Sequence, residues 1–142
     1  MLIKQISVFV ENKPGKLSEV IKEIGDCGID IHALSMADTT DFGVLRLIVN
    51  EPEKVKEILK NKGMVVKTNE VIAIVVEDKP GGLAIILENL KEKGIGIEYI
   101  YAFIGKNVNG ANVVMKVDKP EVAIEALGKT DVVVVPAADL FR

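Results

Sequence analysis

One cysteine, one histidine, two arginines and no tryptophan are present in the chain. The lone Cys27 excludes an internal disulfide and suits a reducing compartment. Together with His32 it falls short of the ligand count of a structural zinc site, and there is no Cys-x-x-Cys pair. The same shortage excludes a Ser-His-Asp triad, because His32 would have to be the base and nothing places a nucleophile beside it. Arg46 and Arg142 are the only arginines and the net charge is −3, so neither an Arg cluster nor a basic face is available for phosphate or nucleic acid. With no Trp, two Tyr and four Phe, a base-stacking platform is not expected. The longest apolar run, Val71 to Val76, is far short of a membrane span. The opening Met1-Leu2-Ile3-Lys4-Gln5 does not have the form of a signal peptide. These absences lead to the expectation of a cytoplasmic, non-catalytic protein with no metal, no cofactor, and neither nucleic acid nor membrane as partner.

What is present is a repeat. Residues 11–36 recur at 77–102, with eight of 26 paired positions identical at a constant offset of 66. Glu11-Asn12-Lys13-Pro14-Gly15-Lys16-Leu17 matches Glu77-Asp78-Lys79-Pro80-Gly81-Gly82-Leu83, and Gly28-Ile29-Asp30-Ile31 matches Gly94-Ile95-Gly96-Ile97. One small unit is written twice. The expected domains are 1–68 and 69–142. Units this small bury only about 60% of their unfolded surface, so the copies are expected to pack together.

Within copy one, Ile6, Val8 and Val10 alternate with Gln5, Ser7 and Phe9 at a strand period. Asn12 to Gly15 breaks the strand. Leu17, Val20, Ile21 and Ile24 then form the stripe of an amphipathic helix, which Gly28 closes. Ile29, Ile31, Ala33 and Ser35 are expected on one face of a second strand, with His32, Leu34 and Met36 on the other. After the polar turn Asp38 to Asp41, residues 43–49 form a third strand. Pro52 opens a second helix with Val55, Ile58 and Leu59 buried, and Gly63 ends it. Its charge run Glu51 to Lys62 is expected to make i,i+4 pairs on a solvated face. Met64 begins a fourth strand, which is expected to run almost directly into the first strand of copy two. Copy two repeats the order, with a longer hairpin turn at Gly105 to Gly110, Pro120 opening its last helix and Asp131 to Val135 its last strand. The order βαββαβ is the ferredoxin-like arrangement. Right-handed crossovers put both helices on one face and leave the other face uncovered within one copy. The fold class is therefore α+β: two ferredoxin-like repeats with antiparallel sheets side by side and helices on one face.

The strand-to-helix loop is the first candidate site. Gly15 lets backbone approach a ligand, and a helix start offers unpaired N–H groups suited to a carboxylate. Asn12 adds a donor and an acceptor. The same residues equally describe a tight turn into a helix. Asp30, after the first helix, offers a carboxylate to an ammonium group, and is equally an exposed strand-start residue. Neither loop carries an Arg, which argues against phosphoryl chemistry.

Taken together, the strand, the Lys-Pro-Gly-x-Leu loop, the helix and the Gly-Ile-x-Ile strand start, occurring twice, resemble the ACT domain family over nearly the whole chain. The resemblance implies a regulatory module that binds a free amino acid and signals to a partner enzyme. It also implies edge-to-edge pairing of sheets, with the effector between the first loop of one domain and the second strand of another. The sheet face left uncovered within one copy separately leads to the expectation of a homodimer, since an apolar face left wet is costly. The ligand residues it implies are Asn12, Lys13, Pro14, Gly15 and Leu17 in the loop, with Asp30 and Ile31 at the strand start. In copy two they are Asp78, Pro80, Gly81, Leu83 and Gly96, the last without a side chain to offer. The alternative function is a constitutive regulatory or scaffolding subunit of an enzyme of amino-acid metabolism, without ligand sensing.

Overall fold

The computed structural model describes residues 2–38, 41–105 and 110–140. Two compact units are present, Lys4–Asn69 and Met1–Ile3 together with Glu70–Arg142. The elements run β1 (Ile3–Glu11), α1 (Lys16–Asp26), β2 (Ile31–Asp38), β3 (Phe42–Val49), α2 (Pro52–Asn61), β4 (Val66–Glu77), α3 (Gly82–Glu92), β5 (Ile97–Phe103), β6 (Gly110–Val117), α4 (Pro120–Gly128), β7 (Val133–Val134) and α5 (Ala137–Leu140). Each unit is ferredoxin-like. β4 is one continuous strand of 12 residues, the last strand of the first copy flowing into the first strand of the second.

In the N-terminal unit β3 lies between β2 and β1, antiparallel to both. On the other edge of β1, the Phe9 N–H donates to the Val65 carbonyl at 3.1 Å. The core is the layer between sheet and helices. Ile6, Val8 and Val10 meet Leu45 and Leu47 from β3, Val20 and Ile24 from α1, and Val55 and Leu59 from α2. The C-terminal unit repeats this with β5–β6–β4–β7 and a core of Ile72, Ile74, Val113, Met115, Ile86, Leu90, Ala123 and Leu127.

Helix ends follow the sequence. Pro52 and Pro120 stand in the first turns of α2 and α4, where a missing N–H breaks no helical bond. After α1 the Ile29 N–H donates to the Ile24 carbonyl and the Gly28 N–H to the Gly25 carbonyl, the paired bonds of a Schellman ending. The α4 end has no such glycine. There Thr130 Oγ1 donates to the Leu127 carbonyl at 2.6 Å and accepts from the Val132 N–H at 3.2 Å.

Several expectations are corrected. A β-bulge between Ile31 and Ala33 shifts the register, so Ile31 pairs with Val49 while Ala33 pairs with Ile48. The extra residue moves the two to opposite faces. Ile31 packs on the core, and Leu34 and Met36 share the helix-side face with Leu47 and Leu45. A bulge at the same place in copy two separates Ile97 from Tyr99. The last strand shrinks to Val133–Val134, although the Val135 N–H still donates to the Ala73 carbonyl. Pro136 follows, and proline cannot continue a ladder. A short helix, α5, was not anticipated. Among the described residues the ion pairs of α2 leave the helix, Glu53 to Lys4 and Lys62 to Glu23, and no i,i+4 pair forms within it. On the sheet face opposite the helices, Gln5, Ser7, Ala33 and Ile48 are buried. The Ser7 hydroxyl and Asn69 Oδ1 lie 3.1 Å apart, which satisfies the buried hydroxyl. The centres of both hairpin turns, Thr39-Thr40 and residues 106–109, lie outside the described residues.

Candidate functional site

Both strand-to-helix loops are built alike. Gly15 precedes α1 at φ +87°, ψ −12°, and Gly81 precedes α3 at φ +84°, ψ −6°. This left-handed conformation is one that glycine enters without penalty. The Lys13 N–H donates to the Glu11 carbonyl at 2.9 Å and the Lys79 N–H to that of Glu77 at 3.0 Å. The same residues pair through their side chains, Lys13 with Glu11 at 3.1 Å and Lys79 with Glu77 at 3.0 Å. The Lys13 hydrogen bond, and then its charge, hold the Glu11 carboxyl below the usual carboxylate value of 4.5. Each loop lysine is thus drawn back onto the end of its own strand.

Among the described residues no side-chain hydrogen bond caps the start of either helix. The Gly15 carbonyl accepts from the Glu19 N–H, and the Lys16 N–H reaches back to the Lys13 carbonyl. The N–H groups of Leu17 and Ser18 remain at the open end of the helix, where an external acceptor finds both donors and the positive end of the helix dipole. Asn12, Lys13, Pro14 and Gly15 are exposed, as are Asp78, Pro80 and Gly81. Leu17 is partly exposed, whereas Leu83 packs against its core.

The second half of the expected set sits elsewhere. Asp30 is exposed at the start of β2, with Ile31 half-buried beside it. Its carboxylate lies 3.8 Å from His32 Nε2. The eleven residues of α1 separate Gly15 from this point, roughly 16 Å at 1.5 Å per residue. Loop and strand start therefore lie at opposite ends of each unit. A free amino acid, whose ammonium and carboxylate share one carbon, cannot touch both within one unit.

Sequence reasoning missed the residue that ties down the strand start. Asn50 Oδ1 accepts the Asp30 N–H at 3.2 Å, and Asp118 Oδ1 accepts the Gly96 N–H at 2.9 Å. The signal was present, for Asn50 and Asp118 each stand two residues before a helix-opening proline. Each unit also has a cleft beside its loop, between the first strand, the first helix and the segment leading to the last strand. In the N-terminal unit it measures about 410 Å³ and includes Glu11, Lys16, Glu19 and Lys62. In the C-terminal unit it measures about 640 Å³ and includes Gly82, Ile85, Thr130 and Val133. Asn12 and Gly15 line neither.

A family model described as an ACT domain pair matches residues 1–142. The chain belongs to the ACT domain pair family. Among solved structures, a protein from Bacteroides thetaiotaomicron is 39% identical, with 100% of this chain and 97% of that one covered and a TM-score of 0.92. The regulatory subunit of aspartate kinase from Thermus thermophilus, in its ligand-free form, is 17% identical over 90% of this chain and 93% of its own, with a TM-score of 0.67. A structure of aspartokinase alpha and beta subunits is 20% identical over 89% and 90%, with a TM-score of 0.63. At such identities the two kinase structures share the fold with this ACT pair. A comparison with curated proteins found no match. Among the described residues no helix is long and apolar enough to cross a membrane.

Proposed function

We propose that this ACT pair is a non-catalytic regulatory protein that binds a free amino acid and passes the binding event to a partner enzyme. The observation that carries this reading is the loop built twice, with a left-handed glycine and an uncapped helix start. The first-turn N–H groups receive the amino acid's carboxylate. The Asp30 carboxylate receives its ammonium group, and because loop and strand start lie apart within a unit, the two come from different ACT units. The exposed edge of β2 supports pairing between two copies of the chain. Leu34 and Met36 are 51% and 40% exposed on an edge strand, which invites a second strand. A homodimer is the assembly proposed.

The mechanism is linkage. An amino acid that binds one arrangement of ACT units more tightly shifts the population toward it, and an enzyme that reads that arrangement responds. The Thermus thermophilus neighbour is by its name the regulatory subunit of a kinase, which supports an enzyme as the partner. A thermal-shift screen of the twenty free amino acids tests the reading. At least one should raise the melting temperature. If none does, the scaffold reading replaces it.

A further inference from the structure

In copy one the strand start is Asp30 and its side-chain partner is Asn50. In copy two the strand start is Gly96 and its partner is Asp118. The same hydrogen bond joins them in both, from the backbone N–H at the strand start to Oδ1 of the partner. The charged and uncharged positions are therefore exchanged between the copies. Each copy has a single carboxylate at this point.

The exchange has a steric and an electrostatic reason. A Cβ on Gly96 would stand 2.8 Å from Asp118 Oδ2. The second oxygen of Asp118 thus lies where a side chain at residue 96 would begin. An aspartate at both positions would crowd two carboxylates together, and like charges at that range oppose each other's ionisation. Asp118 is exposed, and the neighbouring Lys119 ammonium turns away to donate to the Gly94 carbonyl at 3.1 Å. The Asp118 backbone N–H returns to the Gly96 carbonyl at 3.0 Å, which fixes the carboxylate against the strand start.

We infer that Asp118 is the ammonium-recognising carboxylate of the C-terminal unit, in the place that Asp30 fills in the N-terminal unit. The inference rests on the amino-acid reading above. It makes both copies competent, although Gly96 has no side chain.

Calorimetric titration of the full chain with each of the twenty free L-amino acids singly tests this, in an Asp30→Asn background so that the C-terminal carboxylate is read alone. Asp118→Asn keeps the Oδ1 acceptor and removes the charge. Loss of a charge-assisted hydrogen bond should weaken the remaining binding about tenfold or more, with the melting temperature held. Adding Gly96→Asp to Asp118→Asn rebuilds the arrangement of copy one and should restore the affinity. Unchanged affinity in Asp118→Asn would overturn the inference, while binding by the wild type would leave the amino-acid reading standing. Loss without restoration would overturn the exchange. If the wild type binds none of the twenty, the reading and the inference fall together.

Discussion

Replacing Gly15 by alanine isolates the conformational demand of the loop. A Cβ there would meet nothing within 4 Å, so the substitution introduces no clash. The whole cost is that of holding an L-residue at φ +87°, about 1–2 kcal/mol. Unfolding entropy is about 2.1 cal/mol/K per residue, or about 0.3 kcal/mol/K for a chain of this length melting as one. Gly15→Ala should therefore lower the melting temperature by about 3–7 °C, followed by circular dichroism. Gly15→Asn should fall between wild type and alanine, because asparagine enters the left-handed region more readily. Gly82→Ala is the contrast. Its φ is not left-handed, but its Cβ would collide with the Glu77 carbonyl, a backbone atom that no rotamer change can move away. Overpacking of that kind costs roughly 1–3 kcal/mol. A Gly15→Ala protein that melts with the wild type, or an asparagine variant less stable than the alanine one, would refute the backbone argument.

Leu90 is fully buried between α3 and its sheet, so Leu90→Ala should cost about 2–5 kcal/mol in urea denaturation. Leu34→Glu, on the exposed edge of β2, should change unfolding by no more than about 0.5 kcal/mol, yet weaken self-association in sedimentation velocity. The Lys4 hydrogen bond, and then its charge, hold Glu53 below the usual 4.5, as Lys13 does for Glu11. Stabilisation from these pairs is present above the ordinary carboxylate value and is lost as pH falls through the lowered folded one. Carboxyl NMR titration should show both midpoints depressed, with Lys4→Met raising that of Glu53 and leaving that of Glu11 in place.

The repeat made most of the fold legible. Hydrophobic spacing located the first two helices of copy one through Val20 and Ile24, and Val55 and Leu59, because a period of 3.6 leaves a distinct stripe. Pro52, Pro120 and Gly28 marked helix ends because each has one cheap place in a helix. The bulge at His32 was not legible. Inserting one residue into a strand changes no local propensity, and only the pairing with Val49 and Ile48 reveals it. The burial of Gln5 and Ser7 was equally hidden, since an alternating strand predicts polar residues in water. At the site, the duplicated Lys-Pro-Gly announced the left-handed glycines. The bond from Asp118 to Gly96 spans 22 residues and appears in no local pattern. Read locally, Gly96 looks like a loss; beside Asp118 it is one half of an exchange.

Backbone-amide NMR with a stabilising amino acid locates the bound ligand. Leu17 and Ser18 at the start of α1 should shift together with Asp30 and Ile31 at the start of β2. They should do so at the same amino-acid concentration, although α1 separates them by roughly 16 Å. Shifts at one end alone, or on the outer faces of the helices with both ends unmoved, would contradict a ligand held between the loop of one ACT unit and the strand of another.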